Sequence, residues 1–240
     1  MSGLDVAVVG PGRMGREVEA CLKERGHRPT LVGRGAAFPK GCVVGIDFTR
    51  SEAVLPNLET ALSEGARYVV GTTGWEARLG EARSLVARAN GGLVHAANFS
   101  LGVNLFYRIA REAARLLSAF PEYDPYILEK HHRKKRDAPS GTAKVMAAIL
   151  ESEIPGRKAS GDAALPEGAF HVSSLRAGGI FGEHTLGFDS GRDEILLEHR
   201  ARSRQGFALG SVLAAEWIVL RRGFYSFEDV LNDLTTRPRP

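Results

Sequence analysis

The chain has 240 residues, 43% hydrophobic and 25% charged, with a formal net charge of +4; this suits a soluble protein of one large or two modest domains, free of low-complexity tracts. No stretch approaches the ~20 apolar residues of a membrane span, MSGLDVAVVG shows no charged leader, and Cys21 and Cys42 lack CxxC or metal-like spacing. The expectation is a cytoplasmic protein with no metal, no disulfide framework and no membrane partner.

The first hundred residues alternate strand and helix signals. Val6–Val9 is a short apolar run that ends in GPGRMG. A helix over Glu17–Arg25 is stopped by Gly26, as glycine stops helices elsewhere. Strands are predicted at Arg28–Val32 and Val43–Phe48. Apolar residues then recur at helical spacing from Ser51, a possible cap, to Ser63. Arg67–Val70 reads as a strand, Glu76–Ala89 as a helix and Leu93–Ala96 as a fifth strand. This alternation predicts a Rossmann-like parallel sheet with right-handed crossovers, whose ligands sit beyond the carboxyl ends of the strands.

After Asn104 the rhythm changes. A long helix over Leu105–Phe120 precedes a strand at Tyr126–Glu129, a basic turn, and a helix from Thr142 to Glu151. Strand-like pieces follow at His171–Leu175, His184–Phe188 and Glu194–His199, so this part reads as an α+β domain with a mostly antiparallel sheet. Phe207–Leu220 is an amphipathic helix, and Ser226–Leu234 opens with the capping pattern S-x-x-D. The expected domains are residues 1–100 with 206–240 for the dinucleotide, and residues 101–205 for substrate and oligomerisation.

Gly10, Gly12 and Gly15 form G-x-G-x-x-G between a strand and a helix, the context that dinucleotide binding requires. Gly10, Pro11, Gly12, Arg13, Met14 and Gly15 are therefore candidate pyrophosphate residues. The acid that normally meets the adenosine ribose about twenty residues on is missing, and Arg34 stands near that place. An arginine there suits the 2′-phosphate of NADPH, with a solvated loop residue as the plain alternative. NADPH, NADH or both remain open.

The run EKHHRKKRDAPSGTA, from Glu129 to Ala143, gathers two histidines and fixed positive charge at the approach to a helix. Imidazole suits proton transfer near neutral pH. Ser140, Gly141 and Thr142 open the helix, where unpaired N–H groups can hold a carboxylate. As an isolated run this would be a solvated charge cluster with a helix cap, but the cofactor loop favours a site for a small anion. The run lacks interleaved aromatics and no nucleic-acid motif accompanies it, so nucleic acid is not expected as a partner.

With GPGRMG, DFT (Asp47–Thr49), GTTG (Gly71–Gly74), AANFSLGVN (Ala96–Asn104), the histidine run and RAGGIFGEHT (Arg176–Thr185) in order, the chain resembles the 4-hydroxy-tetrahydrodipicolinate reductase (dihydrodipicolinate reductase) family of lysine and diaminopimelate synthesis over nearly its whole length. The resemblance implies hydride transfer from NAD(P)H to C4 of a cyclic dicarboxylate, loss of the 4-hydroxyl as water, and a homotetramer. By the family motif, His131 is proton donor or acceptor and Lys135 a second donor. His132, Gly141 and Thr142 hold substrate carboxylate. Gly71, Thr72 and Thr73, with Ala96, Ala97, Asn98 and Phe99, line the nicotinamide side. The alternatives are another two-domain nicotinamide reductase acting on amino acids or imines, and a silent nucleotide-sensing protein on the same fold.

Overall fold

The computed structural model describes residues 3–162 and 164–236. The ends that the sequence reading assigns to the dinucleotide domain, residues 1–2 and 237–240, lie outside them. Chain contacts divide the molecule into two units, one of Met1–Leu101 with Arg204–Pro240 and one of Gly102–Ser203.

The first unit carries strands β1 (Asp5–Val9), β2 (Arg28–Val32), β3 (Val44–Asp47), β4 (Arg67–Val70), β5 (Gly92–His95) and β11 (Gly223–Ser226). They form a six-stranded sheet in the order β11-β5-β4-β3-β1-β2, and every pairing is parallel. A parallel sheet is covered on both faces, so its inner strands β1, β3, β4 and β5 are buried almost along their length rather than alternating, while the edge strand β2 stays largely exposed. Val6 and Val8 enter one buried cluster with α1 (Arg13–Glu24), α6 (Gln205–Ile218) and α7 (Phe227–Thr236). Ala7 and Val9 enter the other, with α2 (Val54–Ser63) and α3 (Leu79–Arg88).

The second unit carries α4 (Leu101–Leu117), which begins at the boundary, α5 (Gly141–Glu153), and strands β6 (Asp124–His131), β7 (Lys158–Ser160), β8 (Ala169–Arg176), β9 (Glu183–Asp189) and β10 (Glu194–Arg200). The sheet order is β10-β9-β6-β8-β7. Its two longest pairings, β10–β9 and β9–β6, are antiparallel, while β6–β8 and β8–β7 are parallel. One face packs on the helices through Phe106, Ile127, Met146, Phe170 and Leu186. On the opposite face the ring of Tyr126 lies over Gly187, where a Cβ would come within 2.3 Å of it. Leu175 and Leu196, 42% and 48% exposed, lie on that same open face.

Several elements differ from the sequence reading. Helix α1 begins at Arg13, four residues before the expected start, because Gly12 itself forms its N-cap. Ser51 caps nothing: it opens a 3₁₀ turn, Ser51–Ala53, that leads into α2. His131 ends its strand rather than following it. Strands β7 and β11 were not expected, being three and four residues long without alternation. The S-x-x-D cap is present, with Asp229 accepting from the Ser226 N–H at 2.7 Å and Ser226 Oγ accepting from the Asp229 N–H at 3.2 Å.

Candidate active site

In the first unit the chemistry gathers at the carboxyl ends of β1 to β5. Gly10 sits at φ +100, a conformation that side chains rarely adopt, and a Cβ there would meet the Phe48 carbonyl at 2.7 Å. A Cβ on Gly15 would fall 2.1 Å from the Gly10 carbonyl, so helix and turn touch through this glycine. Gly12 is different. A Cβ there would meet nothing within 4 Å, so no packing within the chain demands glycine, and the backbone is left bare toward open space. No side chain caps α1 and no acid stands in its first turn, which leaves its N–H groups and positive dipole end to an anion.

A cavity of about 750 Å³ opens there, lined by Gly10, Pro11, Gly12, Gly33, Arg34 and Arg50 among others. Its volume, the uncapped N-terminus of α1 and the guanidinium side chains of Arg34 and Arg50 fit a dinucleotide with phosphate groups. Arg34 lines this cavity, while Arg13 and Met14 form the first turn of α1.

Beneath the neighbouring loops lies Asp47, fully buried. It accepts hydrogen bonds from the Thr49 N–H (2.8 Å) and hydroxyl (2.6 Å), Asn57 Nδ2 (2.9 Å), the Tyr68 phenol (2.9 Å) and the Thr72 hydroxyl (3.0 Å). The Thr72 hydroxyl is thereby engaged inside the chain, and its carbonyl accepts from Trp75 Nε1 at 2.8 Å. Gly71 packs on the Phe48 ring, and Thr73 is exposed. The Ala96 N–H donates to the Val70 carbonyl at 3.2 Å, Ala97 follows in the same turn, and Asn98 Oδ1 accepts from the Ser100 N–H at 2.8 Å. The Phe99 ring is buried against Phe227 with ring centroids 4.9 Å apart, so Phe99 can serve a ligand through its backbone alone.

In the second unit, the two-residue period of β6 puts Glu129 and His131 on the face of Ile127. Register brings the partners. His184 on β9 stands opposite Glu129, and Arg176 on β8 stands opposite His131. Glu129 is fully buried; its Oε2 shares a hydrogen bond with His131 Nδ1, and its Oε1 accepts from Arg176 Nη2 at 2.6 Å and the Ser140 N–H at 3.3 Å. Burial pushes the Glu129 pKa up, but Arg176 and His131 more than offset it and hold the carboxyl below its ordinary value. Burial lowers the His131 pKa against the raising effect of Glu129, and Lys135 and Arg176 add to the lowering.

Arg176 Nη2 also donates to the Asp137 carbonyl at 2.7 Å, and Lys135 Nζ pairs with the Asp137 carboxylate at 2.9 Å. The Lys135 N–H closes the turn onto the His132 carbonyl at 3.0 Å. His132 lies just past the strand with a buried Nδ1 that has no hydrogen-bond partner among the described residues. Ser140 caps α5 and accepts from the Ala143 N–H at 3.2 Å, and its hydroxyl lies 3.3 Å from His184 Nε2. Its side chain is therefore engaged, and the face offered outward belongs to Gly141 and Thr142. A Cβ on Gly141 would meet nothing within 4 Å, as at Gly12. His184 touches the His131 ring edge-on at 5.1 Å and is pushed down to about 4, chiefly by burial and then by His131. Glu129, His131 and His184 place ligand atoms within 4.8 Å of one another, but Arg176 already answers the carboxylate, which disfavours a second cation there.

A family profile described as "Dihydrodipicolinate reductase, N-terminus" matches residues 33–99, and one described as "Dihydrodipicolinate reductase, C-terminus" matches residues 102–231. The chain belongs to the dihydrodipicolinate reductase family. A relative from Christiangramia forsetii named 4-hydroxy-tetrahydrodipicolinate reductase is 34% identical, over 96% of this chain and 99% of that one. Another of that name from Methanoregula boonei is 41% identical over 78% of this chain and 74% of its own length. A solved dihydrodipicolinate reductase from Paenisporosarcina sp. TG-14, described as dipicolinate-bound, superposes with TM-score 0.72 at 23% identity, covering 95% of this chain and 99% of that one, which shows the shared fold.

Glu129, Arg176 and His184 had no role in the sequence reading, although all three lie inside the motifs that carried the resemblance. The i, i+2 spacing of Glu129 and His131 on a strand was the available signal for the first. Arg176 and His184 reach the site through strand register, which spacing along the chain does not encode.

Proposed function

We propose that this chain carries out the reaction of its family with His131 and Lys135 as its proton-transfer residues. The enzyme reduces (2S,4S)-4-hydroxy-2,3,4,5-tetrahydrodipicolinate to (S)-2,3,4,5-tetrahydrodipicolinate with a reduced nicotinamide cofactor, in diaminopimelate and lysine biosynthesis. The balance is one hydride and one proton in and the 4-hydroxyl out as water. The nicotinamide, when bound, supplies the hydride. The chain must hold two carboxylates and deliver the proton. His131 Nε2 and Lys135 Nζ are the acids; His132 and the first-turn N–H groups at Gly141 and Thr142 take a carboxylate, with Ser140 holding that turn in shape. The observation that carries this reading is the buried Glu129–His131–Arg176 cluster beside the N-terminus of α5.

On the cofactor side, Gly10 to Gly15 receive the pyrophosphate. Gly71 to Thr73 and Ala96 to Phe99 flank the nicotinamide, with Thr72 and Phe99 acting through backbone. The unit of residues 1–101 and 204–240 is thus the cofactor domain, and residues 102–203 hold the substrate and the oligomer contacts. The open face of the second sheet, with Leu175 and Leu196 exposed, supports a homotetramer. Among the described residues no helix is long and apolar enough to cross a membrane, and both cysteines are free; a cytoplasmic setting agrees with these.

The test follows NADPH and NADH oxidation with the product of the preceding synthase. Turnover is expected for the wild type, with His131→Gln and Lys135→Ala each losing about 100-fold or more in kcat. Full activity in both variants would defeat the catalytic assignment, and no oxidation with either cofactor would defeat the reaction. Arg34→Ala is expected to raise the NADPH KM about tenfold and leave that for NADH unchanged, since the lost contact is to the 2′-phosphate. Equal NADPH KM values in variant and wild type would remove Arg34 from the site.

A further inference from the structure

We infer that Glu129 is a positioning residue that fixes the His131 imidazole with its proton on Nδ1, so that Nε2 is the atom that exchanges a proton with the substrate. This deepens the proposed function and rests on its reading of His131.

Residues two apart on β6 share a face, so Glu129 and His131 are lateral neighbours, and their side chains meet without a turn or loop to place them. Glu129 is fully buried, where a lone carboxylate would take up a proton. Arg176 prevents this. Its guanidinium lies 2.6 Å from Oε1, and the Ser140 N–H reaches the same oxygen. The carboxylate stays ionised, and an ionised carboxylate only accepts hydrogen bonds. The nitrogen that meets Oε2 must then be the donor, and that nitrogen is Nδ1. In a neutral imidazole the lone pair therefore falls on Nε2.

The far side of the ring agrees. Gly182 lies against it, and a Cβ at that position would stand 3.1 Å from Nε2. Glycine leaves that nitrogen uncrowded. The charged and titratable groups around the ring are Glu129 on its own strand, Arg176 on β8, His184 on β9 and Lys135 in the basic turn. The Asp137 carboxylate is paired with Lys135 Nζ, and among the described residues Glu129 is the anion that meets the ring. It keeps the imidazolium attainable at a buried position where burial and two cations oppose it. A purely structural ion pair would need only Arg176 and Glu129; the second carboxylate oxygen would not need to meet an imidazole.

The experiment compares full-length wild type, Glu129→Gln, Glu129→Asp and His131→Gln. Expected for Glu129→Gln is a fall in kcat of about 10²- to 10⁴-fold, with substrate KM within about threefold of wild type and NADPH binding, read by fluorescence, unchanged. The pH profile of kcat should move its imidazole limb to lower pH, because the anion that raised it is gone, and Glu129→Asp should recover part of kcat. ¹⁵N spectra of histidine-labelled wild type, with the His131 signal assigned by its loss in His131→Gln, should show neutral His131 protonated at Nδ1. A Glu129→Gln enzyme with wild-type kcat and pH profile would overturn the inference. So would a neutral wild-type His131 carrying its proton on Nε2, a measurement that stands even if the variant fails to fold. If His131→Gln were itself fully active, the proposed role of His131 would fall, while the nitrogen spectra would still decide what Glu129 does to the ring.

Discussion

Asp47 and Glu129 are both fully buried carboxylates, yet they are satisfied differently. Among the described residues Asp47 takes uncharged donors, from Thr49, Asn57, Tyr68 and Thr72, and burial, with the Asp47 charge added to it, pushes the Tyr68 phenol well up. Glu129 faces a guanidinium and an imidazole. The first arrangement ties loops together; the second holds the ring of His131, the proposed proton carrier, in register. His184 stands beside the second, and its depressed value gives a stability prediction. Its ordinary value is 6.5 and its folded value about 4. Between those values the unfolded chain binds more protons than the folded one, so stability falls as pH is lowered through that window and levels off below it. The loss is at most about 3 kcal/mol. Urea unfolding at pH 7 and pH 4.5 should show that wild type loses more stability than His184→Gln; equal losses would show that His184 is not the group responsible. The histidine and glycine motifs were legible as residues, while Arg176 and His184 were not, because their value comes from standing beside β6.

Elements are where glycine does most to shape the cofactor side. Gly210 on α6 touches the Phe99 backbone so closely that a Cβ would lie 1.8 Å from the Phe99 carbonyl. The helix therefore serves as a seat for the Ala96–Phe99 turn. Gly210→Ala should cost roughly 1–3 kcal/mol in unfolding measurements and weaken NADPH binding, because the turn must move. Unchanged affinity in a destabilised variant would show that the turn is not a cofactor contact. Most helices were readable from periodicity, and the parallel strands from short apolar runs between turn signals. The misses were short or local: the three residues of β7, the four half-buried residues of β11, and the 3₁₀ turn at Ser51 that displaced an expected cap. Helix α1 began early because its start is set by a glycine N-cap, which carries no polar side chain to announce it.

At the scale of the molecule, the open sheet face of the second unit gives the proposed tetramer a physical basis. Leu175→Lys with Leu196→Lys should lower the mass seen in sedimentation, because two charges would have to be buried against a partner. A wild-type monomer would end the tetramer reading, and an unchanged mass in the double variant would move the interface elsewhere. The order of the units along the chain has one more consequence. Residues 102–203 form their unit without interruption, whereas the first unit takes its last strand, β11, and the α6 core residues Ala208, Val212 and Ile218 from beyond residue 203. A ribosome makes the chain from one end to the other, so the middle unit is complete while α6, α7 and β11 of the first unit are still unmade. On the ribosome, a growing chain would acquire the basic turn and its histidines before it could finish the seat for a dinucleotide.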